Sequence, residues 1–165
     1  MDISMWQNLI DVLGKINVAY DSALDLGKRK HGALVSIDMD GLAKILDEEQ
    51  LLTAKIQKLE RQRGQTLINL SNMEPSIQPS SKMEELFNLA PSRAIEDRLK
   101  FLHKNLTNKV NQVIQLRDDN QLLAQSALNA VNYHLNKIGG ATVEPAYGNK
   151  GNDVVTHKKN FDFKA

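Results

Sequence analysis

The hydrophobic positions of this chain repeat at helical intervals almost from its first residue. Trp6, Leu9, Leu13, Ile16, Tyr20, Ala23 and Gly27 recur at alternating spacings of three and four, which lays them along one stripe of a helix. The pattern predicts a first helix from about Ile3 to Leu34, with Asp2 or Ser4 accepting from its orphan N–H groups. Gly27 and Gly32 are unfavourable inside a helix, and with the polar stretch GKRKHG around them they predict that it weakens or bends there. After SIDMDG, where Asp38 or Asp40 can cap a new helix, Leu42, Ile45, Leu46, Leu52, Ile56 and Leu59 resume the repeat, which runs on to Leu70. Glu49 sits on that stripe, so it needs either a partner or a place at the stripe's edge with access to water.

The pattern then stops from Ser71 to Ser81, a stretch with two prolines and four serines that reads as a loop. Ser81 and Glu84 have capping-box spacing ahead of a short helix whose apolar side is Met83, Leu86, Phe87 and Leu89. Pro91 suits the first turn of the helix that follows. From Ile95 the stripe runs through Leu99, Leu102, Leu106, Val113, Leu116, Asn120, Leu123, Ala127 and Ala130 to His134 without Pro or Gly. At ~1.5 Å per residue this helix is on the order of 65 Å long. Asn120 occupies a core position, where a polar side chain often fixes register at some expense of stability. Gly139 and Gly140 terminate the pattern. The predicted architecture is all-α: an elongated antiparallel bundle of three long helices over residues 1–138, a short helix between the second and third, and a flexible tail over 139–165, where apolar side chains are few.

Composition narrows the function. The chain has 165 residues and a formal charge of +1, without the basic excess of a nucleic-acid binder. It has no cysteine, so neither a disulfide framework nor a cysteine metal site is available. The first residues lack the basic and apolar regions of a signal peptide, and no run of ~18 apolar residues predicts a membrane span. These features predict a soluble cytoplasmic protein. His31, His103, His134 and His157 are far apart in sequence, with no pair at ligand spacing. The DMDG stretch, Asp38 to Gly41, lacks the later acidic positions of a calcium loop and reads as a helix cap. The KRK run, Lys28 to Lys30, reads as a solvated face. No phosphate-binding or nucleophile motif occurs. The expectation is a protein without catalytic residues, cofactor or metal.

The last helix has more apolar surface than one seam requires. Beside its main stripe lies a second: Val110, Ile114, Ala124, Leu128, Val131, Leu135 and Ile138. In NQLLAQSALNAVNYHLNKI the two stripes merge, and Leu122, Leu123, Ala127, Leu128, Ala130, Val131, Leu135 and Ile138 cover well over half of the circumference. Either this half lies between two other helices of its own bundle, or one stripe receives a partner's amphipathic helix.

The second-helix segment ALVSIDMDGLAKILDEEQLLTAKIQKLERQRGQTL, with Asp38, Glu49, Leu51, Leu52, Leu59, Glu60 and Arg63, resembles the middle helix of the FlgN family of flagellar export chaperones. NQLLAQSAL, Asn120 to Leu128, is similar to that family's long last helix, and AYGNKG, Ala146 to Gly151, to its Tyr-Gly-x-x-Gly ending. The resemblance implies a chaperone without ATPase activity. Its clients would be the C-terminal helical segments of the hook-associated proteins at the hook–filament junction. It would deliver them to the flagellar type III export gate. Leu122, Leu123, Ala127, Leu128, Val131, Leu135 and Ile138 are then the candidate client-binding residues, and Tyr147 a candidate gate contact. The alternative is a structural coiled-coil adaptor that oligomerises through its long last helix.

Overall fold

The computed structural model describes Ile3–Gly140 and two short segments, Thr142–Val143 and Val155–Thr156. Four helices account for most of the described residues: α1 (Ile3–Ser36), α2 (Met39–Met73), α3 (Met83–Leu89) and α4 (Arg93–Gly139). Thr142–Val143 (β1) pairs antiparallel with Val155–Thr156 (β2). The rest of the segment expected to be a flexible tail lies outside the described residues, as does Asp2. Ser4 lies within α1.

α1 runs through Gly27 and Gly32, where a weakening or bend was expected, as one continuous helix. Gly27 has a packing reason. A Cβ added to it would stand 2.7 Å from Leu116 Cδ2 of α4, so the missing side chain lets the two helices approach closely. α1 ends in a left-handed residue, Ile37 (φ 54°). The Ile37 N–H donates to Leu34 O and the Asp38 N–H to Ala33 O, the paired bonds of a Schellman ending. Asp38 then caps α2, its side chain accepting from the Gly41 N–H at 2.9 Å.

The other helix starts differ from expectation in detail. Ser81 is not the cap of α3, because its hydroxyl accepts from the Gln78 N–H at 3.0 Å within the loop. Glu85 takes that task by accepting from the Lys82 N–H at 3.1 Å. Pro91 precedes α4 rather than opening it; Ser92 is the cap, accepting from the Ile95 N–H at 3.3 Å. α4 closes on Gly140 in the left-handed conformation (φ 64°).

The topology is up-down-up. Leu26 and Ala33 of α1 meet Ile45 and Leu42 at the start of α2, while Trp6, Leu9 and Leu13 meet Leu67 and Leu70 at its end, so α1 and α2 are antiparallel. Asn17 donates to Leu102 O, Lys109 pairs with Asp21, and Asn120 reaches Gly27 O, so α1 and α4 run parallel. α1 packs closely against both partners, whereas the backbones of α2 and α4 do not approach each other.

The core is uneven. At one end Trp6, Leu9, Leu13, Leu67, Leu70, Leu99 and Leu102 bury one another, and Ile77, Met83 and Leu86 of the loop and α3 close them over. Removing such side chains from water is the main favourable contribution to folding, at ~25 cal/mol per Å². Beyond Leu102 the only buried residue of α4 is Asn120. The molecule is closed at the α3 end and opens toward the α1–α2 turn.

Candidate functional site: the open end and the free end of the last helix

At the open end, α1 forms a floor between α2 and α4. Leu26 and Gly27 of α1, Leu52 and Ile56 of α2, and Val113, Leu116 and Ala124 of α4 line a mainly apolar groove of about 550 Å³. Glu49 borders it, paired with Lys30 at 2.9 Å. The carboxylate on the apolar stripe thus has both a partner and partial access to water. Next to it Arg29 donates through both terminal nitrogens to Glu48, each at 2.8 Å. The guanidinium holds the Glu48 carboxyl below its ordinary value, chiefly through that hydrogen bond. The KRK run is therefore more than a solvated face, since two of its three residues tie α1 to α2.

A polar contact fixes α4 against α1 in this region. Asn120 Nδ2 donates to Gly27 O at 2.9 Å, and its Oδ1 lies 3.1 Å from His31 Nδ1. With the amide nitrogen committed to a carbonyl, the imidazole must present Nδ1–H. Asn120 thus occupies the core position expected of it and bonds specific atoms of its neighbour. Asn17, also buried, donates to Leu13 O and Leu102 O.

The register set by His31 and Asn120 decides what lies beyond. From that contact α1 has five residues left, to Ser36, and α4 has nineteen, to Gly139. Among the described helices, α4 therefore outruns α1 and α2 by ~20 Å. α2 begins beside the end of α1 and offers no cover. All seven candidate client-binding residues follow Asn120: Leu122 and Leu123 beside the last residues of α1, and Ala127, Leu128, Val131, Leu135 and Ile138 beyond them. Leu128, Val131, Leu135, Leu122 and Ile138 are exposed, from 47% at Leu128 to 86% at Ile138, and Leu123 and Ala127 are half-buried. Of the two accounts of this surface, burial between helices of its own bundle is not what is observed. The main and second stripes that merge in sequence merge here as free surface, continuous with the groove through Ala124. Tyr147 lies outside the described residues.

Sequence reasoning missed the groove. Leu52, Ile56, Val113 and Leu116 stand at core spacing, and periodicity cannot distinguish a helix pair that touches from one held apart by a third helix.

Among the described residues, no three His, Asp or Glu side chains gather as a metal site, and no helix is long and apolar enough to cross a membrane. What the arrangement offers is an apolar surface beside a fixed scaffold. The model of the FlgN protein family matches residues 3–154, nearly the whole chain. The chain belongs to the FlgN family. That is a family of flagellar export chaperones and not of enzymes. No curated protein and no solved structure matches the chain.

Proposed function

We propose that this FlgN-family protein is a cytoplasmic holding chaperone. It would bind the C-terminal helical segments of flagellar hook-associated proteins, keep them from assembling early and hand them to the type III export gate. The observation that carries this reading is the uncovered apolar surface at the end of α4. Contiguous exposed apolar area of this kind marks an interaction site, and an amphipathic client helix is the partner whose own apolar face it would remove from water. No catalytic step is involved; binding and release suffice. Tyr147, on the family-like AYGNKG segment, is the proposed gate contact.

The decisive variant is Leu128→Asp with Val131→Asp. Because both side chains are exposed, the helical circular dichroism and melting temperature should stay close to wild type. Affinity for a hook-associated protein should fall at least ~100-fold, since two carboxylates would be desolvated in the complex. Unchanged affinity would remove the basis of the proposal. Tyr147→Ala should keep client affinity and reduce export, read as secreted hook-associated protein; normal secretion would dismiss the gate contact.

A further inference from the structure

The free end of α4 is unusual in its polar residues as well as its apolar ones. No Asp, Glu, Lys or Arg occurs between Asp119 and Lys137, in a chain whose charged fraction is 25%. Exposed helical faces ordinarily carry charge, which is costly to bury. Apart from Ser126, Tyr133 and His134, the polar positions here are amides. Gln121, Gln125, Asn129, Asn132 and Asn136 follow one another at spacings of four, four, three and four, which aligns them in one row. That row borders the apolar one: Gln121 is three residues from Ala124, Gln125 three from Leu128, and Asn132 is four from Leu128 and three from Leu135. Gln125 Nε2 donates to Asn129 Oδ1 at 3.1 Å. The pair thereby keeps a free acceptor on Gln125 and a free donor on Asn129. An amide row of this kind can pair with amides or hydroxyls in either sense and needs no counter-charge. A partner bearing carboxylates or ammonium groups opposite it would desolvate them against amide hydrogen bonds alone, with no counter-charge to offset the loss.

We propose that the amide row selects the occupant of this surface. On this inference, which rests on the chaperone reading above, the docking helix presents an apolar stripe of Leu, Ala or Val flanked by Asn, Gln or Ser, with no charge on the contacting face. The complex is held without salt bridges at α4, so its affinity does not follow ionic strength.

Two synthetic helical peptides test this by calorimetry with the full chain. They share one Leu/Ala stripe and the same Lys residues on the opposite face; one is flanked by Asn, Gln and Ser, the other by Glu and Lys. The neutral-flanked peptide should bind ~10-fold tighter or better, and its Kd should change less than about twofold between roughly 50 and 500 mM salt. Asn129→Ala with Asn132→Ala should remove most of that preference. Equal binding, tighter binding of the charged-flank peptide, or no binding of either would overturn the inference. So would a homodimer that buries Leu128 and Leu135 and excludes both peptides. If the neutral preference holds and the variant abolishes it while no hook-associated protein binds, amide-row recognition stands and the client assignment fails.

Discussion

At Ile37 the backbone has φ 54°, a left-handed conformation that costs a residue with a Cβ ~1–2 kcal/mol. Glycine is the usual occupant of this place in a Schellman ending. The Ile37 side chain is 74% exposed, so little packing offsets the strain. Ile37→Gly should therefore raise stability by about 1 kcal/mol, measured by denaturant melts; a loss would mean that the side chain stabilises the turn in another way. Gly27 is the opposite case. Its sequence context suggested a weak point, yet the space it leaves is filled by Leu116. The identity of a glycine is visible in sequence, but the neighbour that requires it is 89 positions away. The same holds for Glu49, whose need for a partner was legible and whose partner, Lys30, was not.

At the scale of elements, the periodicity of apolar residues located all four helices to within a few positions. It works because each long helix carries one apolar stripe at helical spacing, whether or not the whole stripe is buried. The caps were less legible: Asp38 sits at its helix start as expected, Ser92 rather than Pro91 opens α4, and Ser81 was displaced because its hydroxyl closes a loop turn. The α1–α2 seam carries an ionic element with a definite pH response. Arg29 lowers the pKa of Glu48 in the folded protein. A depressed folded pKa contributes stability above the ordinary carboxylate range, and the contribution disappears as pH falls through the folded value. Glu48→Gln should thus lower the melting temperature slightly at neutral pH, and the difference from wild type should close below about pH 4. Both groups are exposed, so raising the salt concentration should also shrink the difference. A difference that persists in acid would assign the effect to something other than this ion pair.

The whole molecule is asymmetric, and that asymmetry is what links fold to function. One end is a closed core under α3; the other is a groove continued by ~20 Å of α4 that reaches past α1 and α2. Sequence alone showed the surplus of apolar surface on α4 without saying whether it was covered. The answer depended on register, which Asn120, His31 and Gly27 set through contacts between distant segments. A chain built this way keeps its stability and its proposed binding surface in separate regions, so on this reading binding is tuned without unfolding the scaffold.

Backbone amide hydrogen exchange, with and without a hook-associated protein, tests that separation most directly. In the free protein, amides around Trp6, Leu70 and Leu99 should exchange slowly and those from Gln121 to Ile138 quickly. Added client should slow exchange selectively from Gln121 to Ile138 and along the groove at Leu52 and Ile56, leaving the α3 end unchanged. Protection confined to the α3 end, or none on α4, would contradict the account.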